Sequence, residues 1–464
     1  MTQSSNHDVI VIGTSQGGRL LPGAFAKAGR KVAVVERGNL GGVCVNAGCT
    51  PTKTMVTSAR VAYLAKRGLE YGVRTGPISV DLQAVRKRKQ GMVEGARNNF
   101  ERLVKPVAGL ELLRGEARFI APKTLEVSLA HGERRAIAAP LIVINAGARP
   151  KQLAIKGVES VPVLNSTTIM ELDSLPEHLL IIGGGYIGLE FGQMFRRFGS
   201  EVTIIQHHPR LLTNEDEDVS DEVTKILRED GIAVFTGTTP QKVQLLDDGR
   251  IQLTARTPEG EKKITGSHLL AAIGRVPNTE ALTPEAAGIR LDEKGYIQVN
   301  EQLETNVPGV YAMGDVKGGP AFTHVSYDDF RILRTNLLER GNASTRDRVV
   351  PYTIFIDPQF GRVGMSERQA RKQGRKIRVA KLPMNAVIRA LETGETRGFM
   401  KAIIDADTQQ ILGCAILGLE GGEIMAIIQA AMMGKLPYTA LKEAIFSHPT
   451  LAEGLNTLFM TLDS

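Results

Sequence analysis

Residues Leu179–Glu190 read LLIIGGGYIGLE. An apolar run, a glycine cluster and a fresh apolar pattern mark a strand, a tight turn and the opening of a helix. Gly183, Gly185 and Gly188 fill the pattern G-x-G-x-x-G. Gly183 permits the turn, Gly185 lets the backbone approach a pyrophosphate, and Gly188 lets the helix pack on the strand. The helix N-terminus then offers N–H donors and a partial positive charge to phosphates. A second strand, Glu201–Ile205, follows at the distance a βαβ unit needs. A lone glycine motif would also suit a structural turn; its strand–turn–helix–strand setting favours dinucleotide binding.

The residue after that second strand bears on which dinucleotide binds. An acid there would hold ribose hydroxyls and repel a 2′-phosphate. This chain has Gln206, followed by His207, His208 and Arg210. The neutral-to-basic patch favours NADPH over NADH; the plain alternative is a pair of exposed histidines. Leu269–Ile273 and the turn Gly274–Asn278 close the unit, with Gly274 facing the coenzyme.

The same design occurs once earlier, over Asp8–Glu36. Val9–Ile12 and Lys31–Val35 are its strands, and its turn reads GTSQGG from Gly13 to Gly18. Ser15 stands where the second glycine belongs and adds bulk at the closest approach of a pyrophosphate. Glu36 keeps the acidic position, which suits an unphosphorylated ribose such as that of FAD. Two such units imply two dinucleotides.

Between them lies GGVCVNAGCTPTK, Gly41 to Lys53. Cys44 and Cys49 cannot both lie on an undistorted helix and meet, since five residues at ~1.5 Å rise separate them by about 7.5 Å. Gly48 and the flanking glycines can supply the distortion. A nearby helix start and Lys53 favour thiolate. Zinc is a rival for a close cysteine pair, but no second pair completes a tetrahedral site, so no metal site is expected. A structural disulfide is the other alternative. The nucleotide units beside the pair favour redox catalysis.

The bulk numbers agree. A chain of 464 residues is too long for one core. It is 42% hydrophobic and 23% charged, with 49 glycines and a net charge of +7. Three cysteines (Cys44, Cys49 and Cys414) make no disulfide framework. The short basic run Arg86–Lys89 has no aromatic interleaving and reads as a solvated helix face, so no nucleic-acid partner is expected. No stretch reaches the roughly 20 apolar residues that span a bilayer. MTQSSNHDVI carries no basic-then-apolar signal pattern, and a cytoplasmic protein is expected.

Taken together the motifs resemble the class I pyridine nucleotide-disulfide oxidoreductases, the family of lipoamide dehydrogenase, glutathione reductase and mercuric reductase. The landmarks are GGVCVNAGC, GGGYIGLE, GRVPN (Gly274–Asn278), VYAMGD (Val310–Asp315) and HPTLAE (His448–Glu453). The resemblance implies an α/β fold: two Rossmann-like dinucleotide-binding domains and a C-terminal α+β dimerisation domain. The expected boundaries are 1–150 and 273–345 for FAD, 151–272 for NAD(P), and 346–464 for dimerisation.

It also implies roles. Cys49 is the flavin-proximal thiol and Cys44 the interchange thiol that meets the acceptor. Lys53 sits by the flavin and pairs with Glu190. Gly13, Ser15, Gly18, Glu36, Gly42, Gly147 and Asp315 line FAD, with Asp315 on the ribityl chain. His448, oriented by Glu453, is the acid–base, acting across the interface of a homodimer.

Within the family, Gln206 and the segment Phe446-Ser447-His448-Pro449 depart from the acidic residue and His-Ala-His-Pro of lipoamide dehydrogenase, the rival reading. The ending LFMTLDS lacks the vicinal cysteines of mercuric reductases. Phe322–Leu333, Glu395–Gly418 and Ile445–Phe459 look closest to the mercuric-reductase-like branch that includes reactive-chlorine-resistance and hypothiocyanous-acid-reducing flavoproteins. That placement implies a small oxidant or oxidised thiol as acceptor. A redox sensor without turnover, its FAD loop weakened by Ser15, is the alternative outside enzymes. Cys414 reads as a buried packing residue.

Overall fold

The computed structural model describes residues 5–104 and 107–463. Of the stretch MTQSSNHDVI, residues 1–4 lie outside it, as does the last residue of LFMTLDS. The chain divides into two compact units. The first holds Met1–Thr54, Arg86–Lys151 and Gly274–Arg348; the second holds Met55–Val85, Gln152–Ile273 and Val349–Ser464.

The first unit is built on parallel strands in the spatial order Leu110–Ala121, Val32–Glu36, Val9–Ile12, Leu141–Ile144, Val310–Ala312. Val9 pairs with Val32 and Ile12 with Val35. Val9–Ile12 is buried throughout. A parallel strand covered on both faces requires such an unbroken apolar run. Antiparallel strands Thr124–Leu129 and Arg134–Ala138 extend the sheet beyond Leu110–Ala121.

The second unit repeats the plan. Its parallel order is Ala233–Phe235, Glu201–Ile205, His178–Ile182, His268–Ala271, Val163–Leu164. The helix Tyr186–Phe198 packs Leu189, Phe191, Met194 and Phe195 into the core beside Ile181 and Ile204. The same unit carries a five-stranded antiparallel sheet, Tyr352–Ile354, Gln359–Gly364, Ile411–Gly418, Phe399–Asp405 and Ile377–Pro383. Its core includes Met400, Ile416, Ile428 and Phe459, and the fully buried Cys414 packs there as expected. Two Rossmann-like sheets and a C-terminal α+β part are thus observed.

The long helix Leu82–Val104 starts just after Asp81, whose Oδ1 accepts the Ala84 N–H at 3.0 Å and caps it. Contrary to expectation, the basic run Arg86–Lys89 is not a wholly solvated face: Lys89 is 1% exposed. Leu82, Lys89, Val93 and Phe100 all lie buried at helical spacing, so Lys89 falls on the apolar stripe. Among the described residues no helix is long and apolar enough to cross a membrane.

Candidate active site

In the first unit the turn after Val9–Ile12 closes tightly. Gly13 has φ +94°, and a Cβ there would lie 2.3 Å from the Asn145 carbonyl oxygen. A Cβ on Gly18 would lie 2.2 Å from the Gly13 oxygen, so only glycine fits either place. Glu36 ties the turn down. One carboxylate oxygen accepts the Thr14 N–H at 2.9 Å and its hydroxyl at 2.6 Å; the other accepts Gly38 N–H at 2.9 Å. A carboxylate has about four lone-pair sites, so it retains capacity for a ribose hydroxyl.

The Ser15 hydroxyl donates to Asn145 Oδ1. Gly147 (φ +69°) ends the neighbouring turn, and its carbonyl accepts Asn278 N–H at 3.0 Å. Gly314 (φ +71°) donates its N–H to Asp329 Oδ2 at 2.8 Å and so presents Asp315. Burial raises the Asp315 carboxyl, against the opposing pull of Arg275 and Lys317. Among the described residues the Ser326 hydroxyl finds no hydrogen-bond partner, and it lies buried close to where side chains on Gly17 and Gly314 would stand. A glycine cradle with an orphan buried hydroxyl fits a ligand rich in oxygen acceptors, and FAD is such a ligand.

The cysteines lie on a broken helix. Gly42–Asn46 carries Cys44; a second helix starts at Cys49 and runs to Lys66. Gly41 and Gly42 enter with φ +98° and +62°, and Ala47 and Gly48 form the break. A Cβ on Gly48 would sit 3.0 Å from the Val43 oxygen and 3.2 Å from Cys44 Cα. This close return lets the two thiols hydrogen-bond, as the spacing argument required.

Cys44 is half-buried and Cys49 exposed, both as free thiols. The Cys44 thiol lowers Cys49, aided by the Thr323 hydroxyl at 3.2 Å and the charge of Lys53. The same bond, with burial, pushes Cys44 up. One thiol is therefore held toward thiolate and the other toward the protonated form.

In the second unit Gly183 (φ +117°) would place a Cβ 2.3 Å from the Ala272 oxygen, and Gly188 one 2.1 Å from the Gly183 oxygen. Gly185 faces open space, with no atom of the described residues within 4 Å of a Cβ. That is the room a pyrophosphate needs. Gln206 is buried, and its amide reaches the Arg210 carbonyl at 3.4 Å. His207 and His208 are exposed with ring centroids 3.8 Å apart; burial, then His208, lowers His207. Arg210 is held by Glu217 at 2.9 Å and Asp221 at 3.1 Å.

Lys53 belongs to the first unit and Glu190 to the second, where the Glu190 carboxylate accepts the Phe355 N–H at 2.8 Å. Gly274 (φ +107°) falls in the first unit; its carbonyl accepts Lys151 N–H at 3.0 Å. His448 Nδ1 lies 2.9 Å from Glu453, and the imidazole is 69% exposed, leaving Nε2 outward. Among the described residues no group of three or more His, Cys, Asp or Glu could hold a metal ion.

Sequence reasoning missed Thr323, Asn145 and Asp329. Thr323 and Asn145 are distant along the chain from what they touch, Asp329 meets Gly314 15 residues away, and no local pattern marks any of the three.

The family described as "Pyridine nucleotide-disulphide oxidoreductase" matches residues 7–329, and its dimerisation domain matches residues 350–459. The "Probable pyridine nucleotide-disulfide oxidoreductase RclA" of Escherichia coli is 38% identical, over 98% of this chain and 99% of that protein. The mercuric reductase of Bacillus cereus is 35% identical, over 99% of this chain and 72% of that one. The solved Cu(II) complex of the HOCl-induced flavoprotein disulfide reductase RclA from E. coli superposes with a TM-score of 0.90 at 36% identity, covering 98% of this chain and 99% of that one. Members of the family depend on FAD and take electrons from NAD(P)H. The chain belongs to the pyridine nucleotide-disulphide oxidoreductase family, with that family's dimerisation domain at its C-terminal end.

Proposed function

We propose that the chain draws electrons from NAD(P)H and passes them through FAD to the Cys44–Cys49 pair. From there they go to a small oxidant, a disulfide or a metal ion. One observation carries the reading: two thiols in hydrogen-bonding contact across a helix break, held at opposite acid strengths. FAD supplies the conversion of a hydride into an electron pair that a disulfide can accept.

The chain's own residues do the rest. Cys49 is the thiolate of the reduced pair, stabilised by Cys44, Thr323 and Lys53. Cys44, held protonated, needs a base before it can attack. His448, fixed by Glu453 at Nδ1, has Nε2 available to take that proton. We place His448 across the interface of a homodimer, as the family resemblance implies.

With a disulfide acceptor, the Cys44 thiolate attacks one sulfur, and the leaving sulfur takes the proton from His448. The Cys49 thiolate then attacks the Cys44 sulfur. The second acceptor thiolate departs, the Cys44–Cys49 disulfide closes, and two electrons have left the protein.

The E. coli relative is described as HOCl-induced and forms a Cu(II) complex. Both descriptions support a small oxidant or a metal ion as acceptor. NADPH is the proposed donor, because Gln206 leaves no acid against a 2′-phosphate.

The test is Cys44→Ser. It retains flavin reduction by NAD(P)H and loses turnover with thiol-type acceptors; full turnover would sink the disulfide route. A screen of lipoamide, glutathione disulfide, hypothiocyanous acid, Cu(II), Hg(II) and quinones, with both coenzymes, then identifies the acceptor class.

A further inference from the structure

The glycine-rich turn of the first unit breaks its own pattern at Ser15. A side chain there brings bulk and a hydroxyl to the place where backbone and pyrophosphate come closest. The surroundings of Ser15 deal with both.

On one side lies Asn145, 2% exposed, just beyond the strand Leu141–Ile144. Its Oδ1 accepts the Ser15 hydroxyl and, at 3.3 Å, the Gly18 N–H. Its Nδ2 donates to the Met313 carbonyl at 3.0 Å. On the other side lies Gly42, where a Cβ would stand 2.6 Å from Ser15 Cβ and 2.8 Å from Ser15 Cα. Gly42 opens the helix that carries Cys44.

A carboxamide suits this place because it accepts and donates at once. Its oxygen takes the turn, and its nitrogen takes the strand end that leads to Gly314 and Asp315. Without that acceptor the Ser15 hydroxyl would rotate among its staggered positions, one of them toward the phosphates.

We infer that Asn145 is a positioning residue for Ser15. It turns the hydroxyl away from the pyrophosphate and seats the side chain on Gly42, so that one polar pair sets both the FAD loop and the start of the redox helix. The inference rests on the reading of this loop as the FAD site.

The test is a double-mutant cycle on the holoprotein: wild type, Asn145→Ala, Ser15→Gly and the double variant. FAD release after dilution is followed by flavin fluorescence. Asn145→Ala releases FAD faster, and Ser15→Gly in that background restores retention, giving a coupling of about 3-fold or more between the positions. The bonds to Gly18 and Met313 are lost with and without the serine, so they cancel. Effects that simply multiply would overturn the pairing. A wild-type protein that neither carries nor accepts FAD would instead defeat the FAD reading.

A second measurement needs no change at Asn145. Ser15→Gly removes the side chain that rests on Gly42 and restores the residue the motif expects. Amide hydrogen exchange over Gly42–Asn46 is then about 3-fold faster or more than in wild type. Unchanged exchange would refute the seating on Gly42.

Discussion

The Thr323 hydroxyl lies 3.2 Å from the Cys49 sulfur, although the two residues are 274 positions apart in the chain. Thr323 is the first residue of the helix Thr323–Leu338, and Cys49 is the first of Cys49–Lys66. The sulfur therefore sits at one helix start and beside another, where partial positive charge favours an anion. Thr323→Val keeps the shape and removes the hydroxyl. The Cys49 titration then moves up toward an ordinary thiol, and alkylation of the reduced protein near pH 6 slows several-fold. An unchanged pH profile of alkylation would show that Cys44 and Lys53 alone keep the thiol acidic.

His448 and Glu453 make the second prediction. Glu453→Gln retains a hydrogen-bond partner for Nδ1 but drops the charge. His448→Ala removes the acid–base altogether and lowers acceptor turnover by about 100-fold or more. Glu453→Gln has a smaller effect of about 10-fold, seen in kcat rather than KM. Stopped-flow reduction of the flavin by NAD(P)H stays at the wild-type rate in both. Slowed flavin reduction would place His448 elsewhere in the cycle.

How far the sequence carried these conclusions depends on the range of the interactions. Strands buried on both faces announce themselves by composition, as Val9–Ile12 and Leu179–Ile182 do. Glycines forced by close backbone approach, such as Gly13 and Gly188, appear as fixed spacings. The break between Cys44 and Cys49 followed from helical rise alone. Lys89 was misread because a charge run is judged by identity, whereas burial follows the 3.6-residue period. Thr323 and Asn145 were illegible because their contacts are tertiary, and Thr and Asn at strand ends or helix starts have commoner uses as caps and turn residues. Arg210 was legible as a basic residue near the ribose, but its engagement by Glu217 and Asp221 was not.

That engagement yields the third prediction. To hold a 2′-phosphate, Arg210 must exchange two exposed carboxylates for it. Arg210→Glu raises the KM for NADPH by about 10-fold, the usual worth of one charge-assisted hydrogen bond. The KM for NADH changes little. A parallel rise for both coenzymes, or none, would leave the preference to Gln206 and the histidines.

The last prediction concerns a buried cluster in the second unit. Lys401, 4% exposed at its side chain, meets Asp216 at 3.2 Å, Asp218 at 3.1 Å and Glu367 at 2.8 Å. Asp216 also accepts the backbone N–H groups of Glu367 and Arg368 at 3.0 Å each. Burial pulls all three carboxyls up, yet hydrogen bonds and Lys401 hold each below its ordinary range. Burial also works against the Lys401 charge, and its carboxylate partners raise it nonetheless. Groups with lowered values stabilise the fold above the unfolded carboxylate range, near pH 4, and lose that contribution as pH falls through their folded values. Lys401, being raised, contributes fully below its unfolded value and loses that contribution only in strong alkali. Lys401→Met takes the shared cation from three neighbouring carboxylates, of which Asp218 keeps Lys381 at 2.6 Å and Glu367 keeps Arg371 at 2.7 Å; the repulsion left uncompensated around Asp216 costs about 3 kcal/mol near pH 7. Protonation relieves that repulsion, so the gap to wild type narrows below about pH 4. Denaturant melts of both proteins across pH 3 to 8 check this; a gap independent of pH would mean that Lys401 acts through packing and not through charge.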